Sequence, residues 1–266
     1  MKPARIAVLF HAGMAPYQLD HYEISIMARC WEEAGHEVEL LFGTQHEVTA
    51  DVCVVHVDLS VVPEEYVAFA RRFPLVLNGR VTDIRKSRTS HNLLQPGDPW
   101  HGPVILKTDL NYAGWPEKML RHSRWKLKAM KAAGPVLKTL GQIQTHDHYR
   151  VFERLEDVPD RYFRDETYVV EKFLPELEDG LYCVNCYKFF GNLHECGRSY
   201  STEPVVLGPN TLRREYVDPE PEVVELAKNL GLDFGKIDYA MHEGRPEIFD
   251  INRTPGRLAR GSNVPM

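Results

Sequence analysis

Apolar runs and helical repeats alternate over the first eighty residues of the sequence. The predicted strands are Arg5–Phe10, Gly35–Phe42, Cys53–Val57 and Leu75–Leu77, and the predicted helices are Leu19–Ala34 and Pro63–Arg72. Strands that alternate with helices are typical of an α/β domain with a largely parallel sheet. Asn78-Gly79 and the polar run Asp83–Gly102 then indicate a linker, because both are rich in turn-forming residues.

The rest of the chain is richer in strands. Strands are predicted at Pro103–Lys107, Tyr149–Phe152, Thr167–Pro175, Leu181–Phe190 and Leu193–Tyr200, and a helix is predicted over residues 220–230. Gly191-Asn192 separates two of these strands and indicates a tight turn. We therefore expect an antiparallel sheet in this half of the chain.

Two further alternating strands lie near the end of the sequence, at Gly235–Met241 and Glu247–Asn252. A connecting loop of three or five residues would place Asp238 opposite Asp250 and Tyr239 opposite Phe249. That register brings the apolar residues of both strands onto one face, whereas an even loop would separate them. The pattern predicts a hairpin with an odd loop and two facing carboxylates.

Facing carboxylates destabilise a hairpin unless one is protonated or a cation lies between them. A cation is the simpler solution. Asp238, Asp250 and the Asn252 carbonyl offer hard oxygen ligands, which suit Mg²⁺ or Mn²⁺ with further ligands from substrate phosphates. Lys236 lies on the same predicted face, where it could contact a phosphoryl group held by the metal.

Composition narrows the functional classes. The chain has 266 residues, 43% of them hydrophobic, and a net charge of -6, which gives no electrostatic case for a nucleic-acid binder. The sequence lacks a signal peptide pattern and a long apolar run, so we expect a cytoplasmic protein without membrane spans. Five cysteines suit reduced thiols. Cys183 and Cys186 are three residues apart on a predicted strand, so they should lie on opposite faces as core residues rather than bind zinc.

Two other polar segments have structural explanations beside functional ones. Residues 117–140 are rich in lysine and arginine, which fits a solvated helix face, then a surface for a phosphate-rich ligand, and least of all a surface for nucleic acid or anionic lipid. His146-Asp147-His148 has metal-binding residue types, but its surroundings predict an exposed loop.

The two terminal strands resemble the signature of ATP-grasp enzymes, above all the D-alanine–D-alanine ligase and glutathione synthetase branches. In those families a strand of the form G-[RK]-[IV]-D precedes one of the form [ED]-x-N-x-x-P-G, as Gly235–Asp238 and Asp250–Gly256 do here. The resemblance extends to the nucleotide-binding residues, with Lys107 as the phosphate-binding lysine, Glu178 as the ribose-binding acid, and an adenine-binding hinge at Glu171, Lys172, Phe173 and Leu174.

The resemblance implies an ATP-grasp fold, which is α/β overall and α+β in the C-terminal part. It implies an N-terminal Rossmann-like α/β domain at 1–82, a small lid subdomain at 83–170, and a C-terminal antiparallel-sheet subdomain with the metal site at 171–266. Asp250 stands where glutamate is commoner in the family, and Lys236 stands where arginine is frequent.

The implied activity is ATP-dependent ligation. Mg-ATP would phosphorylate a substrate carboxylate to an acylphosphate, which an amine or related nucleophile would attack. The partners would be small-molecule carboxylate and amine substrates, with neither nucleic acid nor membrane, and a homodimer is compatible with this interpretation. Lys236, Arg253 and Lys188 are the predicted catalytic residues; the other cations considered for the acyl substrate or the phosphate are Arg198, Arg213 and Arg214.

Three alternatives stay open. The same fold could serve a small-molecule kinase, in which the phosphoryl group remains on its acceptor, or a non-catalytic nucleotide-binding module. A sugar-nucleotide transferase is the third, because Glu33–Val38 resembles the first helix-to-strand turn of two-domain glycosyltransferases. That turn occurs in many α/β proteins.

Overall fold

The computed structural model describes residues 2–14, 16–121 and 149–257. They form a mixed α/β structure that divides into two compact units. The first unit combines Met1–Asp83 with Pro175–Met266, and the second unit is Ile84–Leu174. The predicted N-terminal and C-terminal domains therefore share one unit, and the segment predicted as a lid forms the other.

Most predicted elements are present, with shifted ends. The strands are β1 Arg5–Phe10, β2 Glu37–Phe42, β3 Val52–Val55, β4 Leu75–Leu77, β5 Val104–Thr108, β6 Tyr149–Phe152, β7 Tyr168–Lys172, β8 Glu176–Glu178, β9 Leu181–Phe190, β10 Leu193–Ser201, β11 Arg213–Tyr216, β12 Phe234–His242 and β13 Arg245–Asn252. The α-helices are α1 Ile24–Glu33, α2 Glu64–Ala70, α3 Lys86–Thr89, α4 Trp115–Arg121, α5 Arg161–Arg164 and α6 Pro221–Leu230. The first predicted helix starts late, because Pro16–His21 forms a 3₁₀ segment before it.

The N-terminal part of the first unit is a parallel sheet in the order β2-β1-β3-β4. Its central strand β1 is buried from Ala7 to Phe10, as expected for a parallel sheet covered on both sides. On one side it packs with Phe234, the first residue of β12. The parallel and antiparallel sheets of this unit therefore share a hydrophobic core.

Asn78 fastens these two sheets together. Its side-chain amide donates to the Phe234 carbonyl at 2.7 Å, and its Oδ1 accepts the N–H groups of Asp233 at 2.9 Å and of Phe234 at 3.0 Å. Asn78 is buried and has a φ of +58°, a left-handed conformation that asparagine tolerates better than most residues. The residue predicted to start a linker instead fixes the beginning of β12.

The antiparallel sheet of the first unit has the strand order β11-β10-β9-β12-β13, and β8 also pairs with β9. Alternation gives it two faces. The core face carries apolar residues such as Tyr187, Ile237 and Ile251, which are almost fully buried. The opposite face, here called the polar face, carries Lys188, Lys236, Asp238, Asp250 and Asn252, which the strand registers place on one side.

The β12–β13 hairpin confirms the predicted pairing of Asp238 with Asp250, but the predicted odd loop is wrong. His242 pairs with Arg245, so the connection is a two-residue turn at Glu243-Gly244, and both of these residues have positive φ as a type I′ turn requires. A β-bulge then shifts the register, so that Tyr239 faces Ile248 and not Phe249. One extra residue in β13 restores the facing carboxylates that an even loop alone would have separated.

The second unit contains a three-stranded antiparallel sheet in the order β6-β5-β7. Val104, Leu106 and Val170 lie in its core with Leu155 and Val158. In the described part of the chain, no helix is both long and apolar enough to cross a membrane. Most of the cation-rich segment 117–140 and the predicted loop around His146 lie outside the described residues.

Candidate functional site

The polar face carries its charged side chains in two adjacent rows across the strands. In one row, Lys188 of β9 pairs with Lys236 of β12, which pairs with Asn252 of β13. In the next row, Cys186 pairs with Asp238, which pairs with Asp250. Residues directly opposite each other on adjacent strands have Cβ atoms about 4.5–5.5 Å apart. Two cations therefore lie beside two carboxylates in an area a few residues wide.

Lys236 compensates the facing carboxylates. Its ammonium donates to Asp238 Oδ2 at 2.6 Å. Burial would lower the pKa of Lys236, but the negative charge of Asp238, with that of Asp250, raises it well above the ordinary value. Lys236 is therefore always positively charged. It supplies the positive charge beside the facing carboxylates that the sequence analysis attributed to a metal ion alone.

Lys188 is held by a residue from the N-terminal part of the chain. Its ammonium contacts Glu23 Oε1 at 2.5 Å and Glu195 Oε1 at 3.6 Å. Burial would lower the pKa of Lys188, but the hydrogen bond and charge of Glu23 raise it. Glu23 directly precedes α1, so the N-terminal end of this helix sets the position of a predicted catalytic lysine.

The chain after Asn252 forms a hydrogen-bonded loop. Its Oδ1 accepts the backbone N–H of Thr254 at 2.8 Å. The Thr254 hydroxyl donates to Asp58 Oδ1 at 2.6 Å, and the Tyr22 hydroxyl donates to Asp58 Oδ2 at 2.5 Å. The orientation of Asn252 thus depends on residues that follow β3 and precede α1.

The donor set is compatible with Mg²⁺ held jointly with a nucleotide. Among the described residues, no group of three or more His, Cys, Asp or Glu side chains could hold a metal ion. Asp238, Asp250 and the Asn252 carbonyl nevertheless supply hard oxygen donors on one face. Mg²⁺ normally takes one or two protein carboxylates and completes its shell with water and phosphate oxygens. The residues present therefore fit the ion only when phosphates supply the remaining ligands.

The two spaced cysteines have separate environments, as the sequence predicted. All five cysteines are thiols, and Cys183 is buried while Cys186 is half-buried. Cys186 faces Asp238 on the polar face, and Cys183 lies an odd number of residues away on the core face. Burial, followed by the negative charge of Asp238, raises the pKa of Cys186 well above that of an ordinary thiol, so it is protonated at neutral pH.

Arg253, predicted as catalytic, lies in the interior. It is 0% exposed, and its guanidinium donates to the carbonyls of Val81 and Leu59. A guanidinium in this position ties three segments of the first unit together. These bonds give Arg253 a structural role, and its catalytic role stays a prediction.

Glu178, predicted to bind ribose, lies on the other side of the sheet. Arg198 contacts it at 2.5 Å, contacts Glu176 as well, and donates to Asn185 at 3.2 Å. Asn185 and Cys186 are successive residues of β9, so their side chains point to opposite faces. Glu178 is therefore in an ion-pair network on the core face, and its contact with ribose stays a prediction.

The remaining predicted nucleotide-binding residues lie in the second unit. Lys107 and Glu171 form an ion pair at 2.5 Å, with side chains only 4% and 3% exposed. The Lys172 ammonium lies 5.0 Å from the centre of the Trp100 ring, while Phe173 and Leu174 are buried. Lys107 and Glu171 come from adjacent strands, β5 and β7, which explains why two residues 64 positions apart in the sequence meet.

The sequence analysis missed Glu23 and Asp58, and it did not separate Arg214 from the neighbouring arginines. In the sequence, Glu23 has the pattern of an ordinary surface acid near a helix, and Asp58 has that of a loop residue after a strand. Nothing in a single sequence shows that residues 165 or 196 positions apart share hydrogen bonds.

The fold and this site define a mixed α/β protein in which one face of an antiparallel sheet presents paired lysines and carboxylates. Neither the family models nor the curated proteins contain a match to the sequence. Several solved structures are similar at low identity. D-alanine–D-alanine ligase from Bacillus anthracis complexed with ATP is 14% identical, with a TM-score of 0.43, over 95% of this chain and 87% of that chain.

Two further structures show comparable similarity. Macrocyclase MdnB from Microcystis aeruginosa is 11% identical, with a TM-score of 0.45, over 94% of this chain and 92% of that chain. A RimK domain ATP-grasp protein from Sphaerobacter thermophilus is 10% identical, with a TM-score of 0.47, over 95% of this chain and 92% of that chain.

Proposed function

We propose that this protein is an ATP-grasp ligase that joins a carboxylate to an amine at the expense of ATP. The observation that carries the proposal is the polar face, on which Asp238 faces Asp250 while Lys236 and Lys188 stand in the adjacent row. This combination matches the two strand motifs that the sequence shares with ATP-grasp enzymes. It gathers cations and hard oxygen donors where phosphate charge must be neutralised.

The chemistry follows from the leaving group. A carboxylate does not react with an amine, because its oxygen is a poor leaving group. Transfer of the γ-phosphoryl group to the carboxylate oxygen gives an acylphosphate and ADP, and attack by the amine then breaks the carbon–oxygen bond, forms the carbon–nitrogen bond and releases phosphate. Bound Mg²⁺ would supply charge neutralisation at the phosphates.

The protein's own residues would position the reactants. Lys236 and Lys188 remain charged because of their carboxylate partners, so both can bind anionic oxygens of the phosphoryl group. Asp238 and Asp250 would share the ion with the phosphates, and Asn252 would contribute its amide oxygen. None of these steps requires a covalent protein nucleophile.

The roles of Lys107, of the segment Glu171–Leu174 and of Glu178 in binding ATP remain part of the proposal. In the structure Lys107 is engaged with Glu171, so binding a phosphate would require this ion pair to open or to accept a shared ligand. The separate stability test of this pair described in the Discussion distinguishes structural from ligand-binding roles.

The test is Mg²⁺-dependent ATP turnover by the Asp250→Ala variant. Wild-type protein is screened for phosphate release with amino acids, small peptides and dicarboxylates, and products are identified by mass spectrometry. Asp250→Ala should unfold cooperatively but lose turnover by about two orders of magnitude or more, since it removes one of two carboxylate ligands. Asp218→Ala is the matched control, because Asp218 is exposed and lies outside the sheet.

Turnover by Asp250→Ala equal to that of the wild type would refute the role of the hairpin in catalysis. A stable phosphorylated product without free phosphate would identify a kinase. ATP binding without turnover in any mixture would identify a nucleotide-binding module.

A further inference from the structure

Three arginines on β10 and β11 have different surroundings, although they look equivalent in the sequence. Arg198 and Arg213 lie on the core face. Arg198 is engaged by Glu176 and Glu178, and the guanidinium of Arg213 lies 3.8 Å from the centre of the Tyr200 ring. Arg214 follows Arg213 on β11, so its side chain points to the polar face.

Arg214 is held in a defined orientation on that face. Its Nε donates to the hydroxyl of Ser199, its partner on β10, at 3.1 Å. Its aliphatic stem lies over Gly197, where a Cβ would stand 3.4 Å from Arg214 Cδ. A Cβ at this position would be in ordinary van der Waals contact with the Arg214 stem, whereas a larger side chain would compete with the stem for space. The bond to Ser199 uses only Nε, so the two terminal nitrogens are not engaged by it.

The terminal nitrogens of Arg214 have no carboxylate partner within the described part of the chain, in contrast to Lys188, Lys236 and Arg198. Lys188, Lys236 and Arg198 pair with acids, and Arg213 stacks on an aromatic ring. The side chain of Arg214 is half-buried, so a ligand on the polar face can reach it. Its planar guanidinium suits bidentate binding of a carboxylate.

Arg214 lies in line with the carboxylate pair. Gly197, beneath its stem, pairs with Cys186, and Cys186 pairs with Asp238. With neighbouring strands about 4.8 Å apart, Gly197 and Asp238 are separated by about 10 Å. An anion bound to Arg214 would therefore lie at a short distance from the proposed reaction centre. This distance is about the length of a short dicarboxylate, or of an amino acid from its backbone to the end of its side chain.

We propose that the Arg214 guanidinium binds a second carboxylate of the substrate, one that is not activated by phosphorylation. The substrate class is then a dicarboxylate, or an amino acid or peptide in which one carboxylate reacts near Lys236 and the other anchors the molecule on Arg214. This inference rests on the proposed ligase function for the assignment of the reacting end. The anion site itself depends only on Arg214, Ser199 and Gly197.

Direct binding is measured first, by isothermal titration calorimetry of succinate, glutarate and adipate with the full chain, with and without Mg-ADP. The monoamide of each acid is titrated in parallel, because it keeps the length and removes one charge. Arg214→Gln should weaken binding of the best dicarboxylate by about tenfold to a hundredfold, as expected for loss of hydrogen bonds to a charged group. Binding of the monoamide should change little.

Arg213→Gln is the matched control, because it changes the same residue type one position away on the opposite face. It should bind the dicarboxylate as the wild type does. Arg214→Lys should recover part of the affinity, since a lysine keeps the charge but cannot form the planar fork. Gly197→Val should weaken binding in the same direction, because its side chain occupies the space under the Arg214 stem.

Failure of the wild type to bind any of the three dicarboxylates, or equal loss of affinity in Arg213→Gln and Arg214→Gln, would overturn the anion site. A different result would refute the ligase proposal alone. In that case dicarboxylate binding depends on Arg214, but Mg-ATP turnover is absent. If both hold, Arg214→Gln raises the KM for the dicarboxylate and leaves the KM for ATP unchanged.

Discussion

Asp238 and Asp250 face each other across neighbouring strands, and the ammonium of Lys236 contacts Asp238 at 2.6 Å. The lysine thus relieves the repulsion between the two carboxylates without a metal. In the proposed function the same carboxylates would also hold Mg²⁺ together with a nucleotide. The response of the protein to the bound ion should then depend on Lys236.

Lys236→Met should destabilise the protein by about 1–3 kcal/mol, because it removes the ammonium that contacts the partly buried Asp238 carboxylate. Added Mg-ADP should raise the melting temperature of this variant more than that of the wild type, since the ion, with phosphates among its ligands, can take the place of the ammonium. Differential scanning calorimetry with and without Mg-ADP measures both effects. Lys228→Met, on the exposed side of α6, should behave as the wild type. An equal response to Mg-ADP in all three proteins would contradict the metal site.

His56 should make the protein sensitive to mild acid. It is fully buried among the rings of Phe10, Tyr22 and Phe234, and among the described residues neither ring nitrogen has a hydrogen-bond partner. Burial, with a further contribution from the charge of Arg253, lowers the pKa of His56 from 6.5 to about 3.

Between pH 6.5 and about 3, His56 therefore binds a proton in the unfolded chain but not in the folded chain. His56 thus contributes a loss of stability of about 1.4 kcal/mol for each pH unit below 6.5, and no loss above it. Urea unfolding of wild type and His56→Leu at pH 8 and pH 5 measures this contribution. The variant should show a smaller loss between these pH values, whereas His101→Gln, at an exposed position, should retain the wild-type loss. Identical losses in wild type and His56→Leu would exclude His56 as the cause.

Arg253 should be required for folding and not for chemistry. Arg253→Ala leaves the carbonyls of Val81 and Leu59 without their donor and creates a cavity, so we expect a loss of about 3 kcal/mol or more. Arg257→Ala, four residues later, should cost less than about 1 kcal/mol, since its bond to the Asp20 carbonyl is at the surface. Chemical unfolding followed by circular dichroism decides the matter. A stable Arg253→Ala protein that lacks only turnover would restore the catalytic prediction.

The Lys107–Glu171 ion pair should show strong coupling. Lys107→Met leaves the buried Glu171 carboxylate without its ammonium partner, at a cost of about 3–5 kcal/mol. Glu171→Gln is the second single variant, which removes the negative charge of the pair. The Lys107→Met/Glu171→Gln double variant should be more stable than the Lys107→Met variant, because no unpaired charge remains. A double-mutant cycle in urea gives the coupling energy, and binding of ATP to the double variant tests the nucleotide role. Additive single effects would show that the two side chains are not coupled.

The local pattern of apolar and polar residues was sufficient to predict most strands and the facing carboxylates. Apolar alternation in β12 and β13 depends only on neighbours in sequence, and burial of one face fixes which residues can share it. The turn was not predicted, because Glu243-Gly244 lacks the asparagine or aspartate that usually marks a type I′ turn. In addition, a bulge between Asp238 and Tyr239, within the hairpin, compensates for the even length of the turn. β8 and β11 were missed because most of their residues are charged and neither shows an apolar alternation.

The sequence by itself determined the order of elements, the acidic motif of β12 and β13, and the separation of Cys183 from Cys186, because each follows from spacing along one strand or one hairpin. Tertiary structure decided which cations serve the polar face. Arg213 and Arg214 are adjacent and chemically identical, yet one stacks on Tyr200 and the other lies over Gly197. Arg253 became a buried tie between loops, and Glu23 became the partner of Lys188. These roles depend on contacts between residues more than a hundred positions apart or on strand pairing, which no local pattern contains.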